Sequence, residues 1–210
     1  MLGLIKPGEE VILFAPYYDS YLATLSMAGA KVRCITLHPP HFSVPIEELK
    51  STVSQETRAI FINTPHNPTG KMFTPEELNA IATLCIRNDV LVFFDEVYDK
   101  WAYDIDHVSI ASLPGIYDEL IGEDILFKRM EDWIGHNPYS LDMGSAIGTC
   151  FSHFYFHHSM QWAAAAALRA PDSYFVELKR DYMENRDILV EGLKDVEIQE
   201  MTMGMNLTLK

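Results

Sequence analysis

The run Asn63-Thr64-Pro65-His66-Asn67-Pro68-Thr69-Gly70, followed downstream by Leu91-Val92-Phe93-Phe94-Asp95-Glu96-Val97-Tyr98, orders a carboxamide, a carboxylate and a phenol for chemistry. Asp95 follows an unbroken apolar run, which places it at the carboxyl end of a buried strand, where parallel sheets bind ligands. A buried acid there can keep a proton on a heteroaromatic ring nitrogen, the condition for a pyridine ring to act as an electron sink. Asn67 and Tyr98 can donate to a phenolic oxygen on the same ring. Two prolines and Gly70 bend the loop sharply, so an asparagine is aimed from a stiff support.

The elements around these residues alternate short apolar strands with helical stretches, the rhythm of an α/β fold with a mostly parallel sheet flanked by helices. Strands are predicted at Val11 to Phe14, Lys31 to Leu37, Ala59 to Asn63 and Leu91 to Asp95. Gly29 suits the stop of a helix that begins near Asp19. Thr74-Pro75-Glu76-Glu77 marks a further start, with Thr74 as cap, Pro75 at the first helical position and Glu77 closing a capping box. That helix runs towards Asn88 and carries Leu78, Ile81, Ala82 and Cys85 on one face. Two helices are expected near the carboxyl end, Met160 to Ala170 and roughly Pro171 to Lys194. Between Tyr117 and Ser159 the pattern breaks down.

A chain of 210 residues, 48% hydrophobic, can bury a core. Its net charge of -14 offers no basic stripe, which argues against nucleic acid or anionic membrane as partner. Cys34, Cys85 and Cys150 stand far apart and read as free thiols in a reducing compartment. No apolar run approaches membrane-spanning length and no signal core opens the chain. The expectation is a soluble cytoplasmic protein, with an organellar address left open because the amino terminus is read as missing.

Phe14-Ala15-Pro16-Tyr17-Tyr18-Asp19-Ser20-Tyr21, the loop Asn63 to Gly70 and Asp95-Glu96-Val97-Tyr98 together resemble the fold-type-I, class I/II pyridoxal-phosphate aminotransferases, and within them the kynurenine or glutamine transaminase-like branch. The resemblance runs from Met1 to Ile116 and resumes from Met160 to Val196. It implies pyridoxal 5'-phosphate as cofactor, with Tyr18 stacked on its ring, Asn67 and Tyr98 at its phenolic oxygen and Asp95 at its ring nitrogen. It implies amino transfer between an amino acid and a 2-oxo acid, carried out by a homodimer. Tyr17, Tyr21 and Phe93 are assigned to core packing, and Trp101 and Tyr103 to wall or core.

The family's next elements are a Ser-x-x-Lys-type segment holding the Schiff-base lysine and a Thr-Gly-Trp-[Lys/Arg]-x-Gly motif. Neither stands in Tyr117 to His158 as written. Read one base out of frame, however, Met130 into Glu131 must encode tryptophan, and Trp133 into Ile134 must encode glycine. Glu123 into Asp124 and Glu131 into Asp132 each allow only lysine or arginine. With permitted choices elsewhere, Asp118 to Asn137 becomes M-N-S-L-G-K-T-F-S-L-N-G-W-K-I-G-L-A-I, which resembles the family's lysine segment. An out-of-frame origin also accounts for His153 and His157, whose spacing would otherwise suggest a metal. Lys128 has the wrong context for the family lysine and is not assigned that role.

The chain is therefore divided into an incomplete cofactor-binding large domain (1–116), an out-of-frame segment (117–159), family-like helices (160–196) and an aberrant tail (197–210). No catalytic residue is assigned, because the Schiff-base lysine is absent. The small domain and its substrate-binding arginine, like the start of the phosphate loop, are expected to lie outside the chain. Three readings follow: an aminotransferase inactive as written, a lyase of the same fold of the cysteine-conjugate β-lyase kind, or a non-catalytic partner of full-length subunits.

Overall fold

The apolar runs Val11-Ile12-Leu13-Phe14, Ala59-Ile60-Phe61-Ile62 and Leu91-Val92-Phe93-Phe94 become neighbouring strands buried on both faces, as unbroken hydrophobic runs require in a parallel sheet. The computed structural model describes residues 4–113, 125–129, 169–194, 198–199 and 208–209. Five parallel strands, β1 (Glu10–Ala15), β2 (Lys31–Thr36), β3 (Thr57–Asn63), β4 (Leu91–Glu96) and β5 (Ile125–Arg129), stand in the order β2-β1-β3-β4-β5. The helices are α1 (Asp19–Met27), α2 (Ile46–Thr52), α3 (Pro75–Asn88) and α4 (Asp172–Gly192). The expected α/β fold with a mostly parallel sheet is observed.

Alternation along each strand divides the core in two. Ile12, Phe14, Ile60, Ile62, Val92 and Phe94 face one side, where Leu78, Ile81, Ala82 and Cys85 of α3 and Leu49 of α2 cover them. Val11, Leu13, Ala59, Phe61, Leu91 and Phe93 face the other, against Tyr21 and Leu25 of α1. The expected α3 stripe is thus the buried one. Strand β2 lies at the sheet edge, and only Ile35 within it is buried.

The turn from α1 into β2 needs its glycine. Gly29 has φ +72, and a Cβ there would stand 3.1 Å from Cβ of Pro7. At the start of α3 the capping box forms as read: Thr74 Oγ1 accepts from Glu77 N, and Glu77 Oε2 accepts from Thr74 N at 2.9 Å. Glu77 does more than the sequence indicated. Its Oε1 accepts from Val44 N at 2.8 Å, and its carboxylate pairs with Lys71 Nζ at 2.9 Å.

Sequence reasoning missed α2, and it missed β5, which falls inside the segment where the pattern breaks down. Register places Lys128 of β5 opposite Asp95 of β4. The expected helix over Pro171 to Lys194 is α4, whereas the one over Met160 to Ala170 lies almost wholly outside the described residues. Of the segment 117–159 only β5 is described, and of the tail only a short antiparallel pairing of Ile198–Gln199 with Thr208–Leu209. Cys150, His153 and His157 lie outside the described residues, while Cys34 and Cys85 are free thiols. No helix among the described residues is long and apolar enough to cross a membrane, and no metal-binding cluster of His, Cys, Asp or Glu occurs among them.

Removing the Glu77 carboxylate should strip the α3 cap, orphan the Val44 N–H and leave the buried Lys71 ammonium without its partner. Glu77→Ala is expected to cost about 2–4 kcal/mol in urea unfolding. Glu47→Ala, which removes an exposed carboxylate on α2, should stay within about 0.5 kcal/mol. Equal effects would show that Glu77 contributes only as an ordinary surface residue.

Candidate active site

Three neighbouring strands end side by side, and the segments that leave them bring the chemistry-bearing residues together. Asp95 is the penultimate residue of β4, Asn63 closes β3 in direct register with it, and Tyr18 precedes α1 just after β1. Parallel sheets gather their sites at this edge.

Asp95 is buried, at 3% exposure. Its Oδ2 accepts from the Tyr21 hydroxyl at 2.8 Å and its Oδ1 from the Val97 N–H at 3.2 Å. Its main-chain carbonyl accepts from the Asn63 side-chain amide at 2.9 Å and from the Thr64 N–H at 3.0 Å. Asn63 Oδ1 in turn accepts from the Asn67 N–H at 2.7 Å. One carboxamide therefore ties the strand that carries the acid to the loop that carries Asn67.

The Asn67 side chain hydrogen bonds to the Tyr98 hydroxyl. Burial raises the Tyr98 phenol above its ordinary pKa, the charge of Asp95 adds to this, and the bond from Asn67 opposes it. Both residues are half-buried, and Tyr18 beyond them is exposed. The Tyr18 ring meets Tyr21 edge-on, with centroids 5.6 Å apart. Exposure thus falls from Tyr18, through Tyr98 and Asn67, to the buried Asp95.

Two residues outside the sequence-based site belong to it structurally. Tyr21 sits in the core as expected, its ring tilted against Phe61 with centroids 4.3 Å apart, yet its hydroxyl donates to Asp95. Asn63 was read only as a strand end. For Tyr21 the available signal was its place one helical turn after Tyr18, the spacing that puts both on one face. Phe93 packs on Phe61 at 5.3 Å, as core packing requires. Tyr103 is buried, and Trp101 is half-buried against Tyr182 of α4.

The donor set suits a pyridoxal ring, with a buried carboxylate for the ring nitrogen, a carboxamide and a phenol side by side for its oxygen, and an exposed aromatic for its face. His66 stiffens the loop beneath this set. Its Nδ1 lies 2.6 Å from Thr69 Oγ1, and the ring also hydrogen bonds to the Phe14 backbone, which joins the loop to β1. The His66 N–H donates to Lys71 O, and Gly70 N–H donates to His66 O, closing the turn.

Burial lowers the His66 pKa from 6.5 to about 4, and the Lys71 charge adds to this, while its bond to Phe14 opposes it. The folded state thus resists a proton that the unfolded state takes up below 6.5. The stability involved is fully present above pH 6.5 and is lost as pH falls towards 4, by about 3 kcal/mol in all. Urea unfolding at pH 7 and pH 5 should show His66→Gln losing less stability over that interval than the parent chain. Equal losses would mean that His66 titrates normally.

The pattern of the family described as aminotransferase class I and II matches residues 1–126. Kynurenine–oxoglutarate transaminase 3 of Mus musculus is 42% identical over 227 residues, covering 92% of this chain and 48% of that protein. A probable N-succinyldiaminopimelate aminotransferase of Mycobacterium tuberculosis is 33% identical over 204 residues, covering 93% of this chain and 51% of its own length. A solved N-succinyldiaminopimelate aminotransferase structure from the same organism superposes with a TM-score of 0.84 at 29% identity, over 95% of this chain and 54% of that one. The chain thus spans about half the length of these relatives. It carries the family's fold and sequence pattern and belongs to the class I and II aminotransferases, of the kynurenine transaminase-like kind.

Proposed function

We propose that this chain is the part of an aminotransferase that grips the ring of pyridoxal 5'-phosphate, and that as written it does not transfer amino groups. The observation that carries the first half is Asp95. It is a buried carboxylate at a strand end, held by the Tyr21 hydroxyl and the Val97 N–H, with an Asn67–Tyr98 pair beside it. When bound, the cofactor supplies an electron sink for bonds to the amino acid's α-carbon.

Asp95 would keep the ring nitrogen protonated, and its burial strengthens that charge pairing. Asn67 and Tyr98 would orient the ring through its phenolic oxygen. Tyr18 would cover one face and exclude water from it. In the full-length protein, a homodimer by family, the substrates would be an amino acid and a 2-oxo acid.

The second half rests on the segment 117–159. The family match ends at residue 126, inside that segment, and the shifted reading of Glu123 into Asp124 allows lysine. Register sets Lys128 opposite Asp95, so it is the lysine to test directly.

Borohydride reduction of the chain in the presence of pyridoxal phosphate, followed by peptide mass spectrometry, should give no stoichiometric label on Lys128. The nucleotide sequence across Gly115 to Met160 should contain a lysine codon in the shifted frame at Glu123–Asp124. Quantitative labelling of Lys128, or amino transfer by the purified chain, would overturn the claim of inactivity. Bases that exclude lysine in the shifted frame would overturn the claim of its origin.

A further inference from the structure

We infer that Tyr21 is a positioning residue for Asp95, fixing the plane of the carboxylate and donating to it from the core side. This rests on the reading of Asp95 as the acid for a pyridoxal ring nitrogen.

The ring of Tyr21 has all the packing a phenylalanine would need, with Phe61 at 4.3 Å and Tyr18 edge-on at 5.6 Å. Packing therefore explains an aromatic ring here but not its hydroxyl. A hydroxyl at 6% residue exposure is costly unless it is bonded, and the structure gives its partner as Asp95 Oδ2 at 2.8 Å. The Val97 N–H holds the other oxygen, so two donors on different elements, α1 and the turn after β4, set the rotation of the carboxyl group.

The phenol is suited to the task because it donates without titrating. Burial, and next the negative charge of Asp95, raise its pKa far above neutrality, so it stays a neutral donor across the working range. A neutral donor holds the carboxylate in place without cancelling its charge. The edge-on contact with Tyr18 gives the same residue a second effect, since it braces the aromatic that would cover the ring. One side chain thus touches both the acid and Tyr18.

The test uses the full chain and pyridoxal phosphate labelled with 15N at the ring nitrogen. Affinity is read by fluorescence titration and the protonation of the nitrogen by its chemical shift at saturation. Tyr21→Phe is expected to bind roughly tenfold more weakly and to displace the 15N resonance from its wild-type position. Phe61→Leu, which loosens the same packing but keeps the hydroxyl, should lower thermal stability and leave the resonance in place.

An unchanged affinity and resonance in Tyr21→Phe would overturn the inference. So would an equal displacement in Phe61→Leu, which would reduce Tyr21 to a packing residue. Absence of saturable binding by the wild-type chain would instead remove the cofactor reading, and this inference with it.

Discussion

Burying the Asp95 carboxylate at the end of β4 is the constraint on which the rest of the site depends. A charge taken out of water is tolerated only with partners in place, and each partner here commits a different element. Tyr21 brings α1 onto one face of the sheet, and Val97 fixes the turn out of β4. Asn63 locks β3 to β4 at the register Asn63↔Asp95 and then holds the Asn67 backbone. The loop, the helix and the strand register are thus mutually determined around one acid.

Much of this was legible in the sequence because the relevant signals are local. The strands were readable from unbroken apolar runs, and α3 from its cap, its proline and its apolar stripe. Tyr18, Asn67, Asp95 and Tyr98 were singled out by motif order, and the proposed cofactor roles rest on that order together with the burial of Asp95. What escaped was relational. Tyr21 has the pattern of a core aromatic and occupies the core, and only the fold shows that its hydroxyl reaches a residue 74 positions away. Asn63 acts through both ends of its amide, a role no spacing encodes. Helix α2 is a single short stretch, Ile46–Thr52, with one fully buried side chain, too brief for a periodic signal. Strand β5, Ile125–Arg129, lies in the stretch where the alternation of strand and helix signals breaks down, so nothing flanking it marked its place.

The graded exposure of the site has a chemical consequence. Asp95 is kept dry, where an ion pair with the proposed ring nitrogen would be strong. The hydrogen-bonding pair Asn67 and Tyr98 lies at intermediate depth, and Tyr18 faces outward, where a ring could enter beneath it. His66, within the loop and neutral at physiological pH, links it to β1 without adding a charge. On the proposed reading these residues would make a preorganised edge for a cofactor ring.

The most direct measurement is titration of pyridoxal phosphate into the chain and into Asp95→Asn, followed by difference absorbance. Saturable binding by the parent chain is expected, with the variant weakened by roughly tenfold or more, since a charge-assisted bond to the ring nitrogen is replaced by a neutral one. Equal binding by the two proteins, or none by the parent chain, would contradict the assignment of Asp95 as the ring-nitrogen acid.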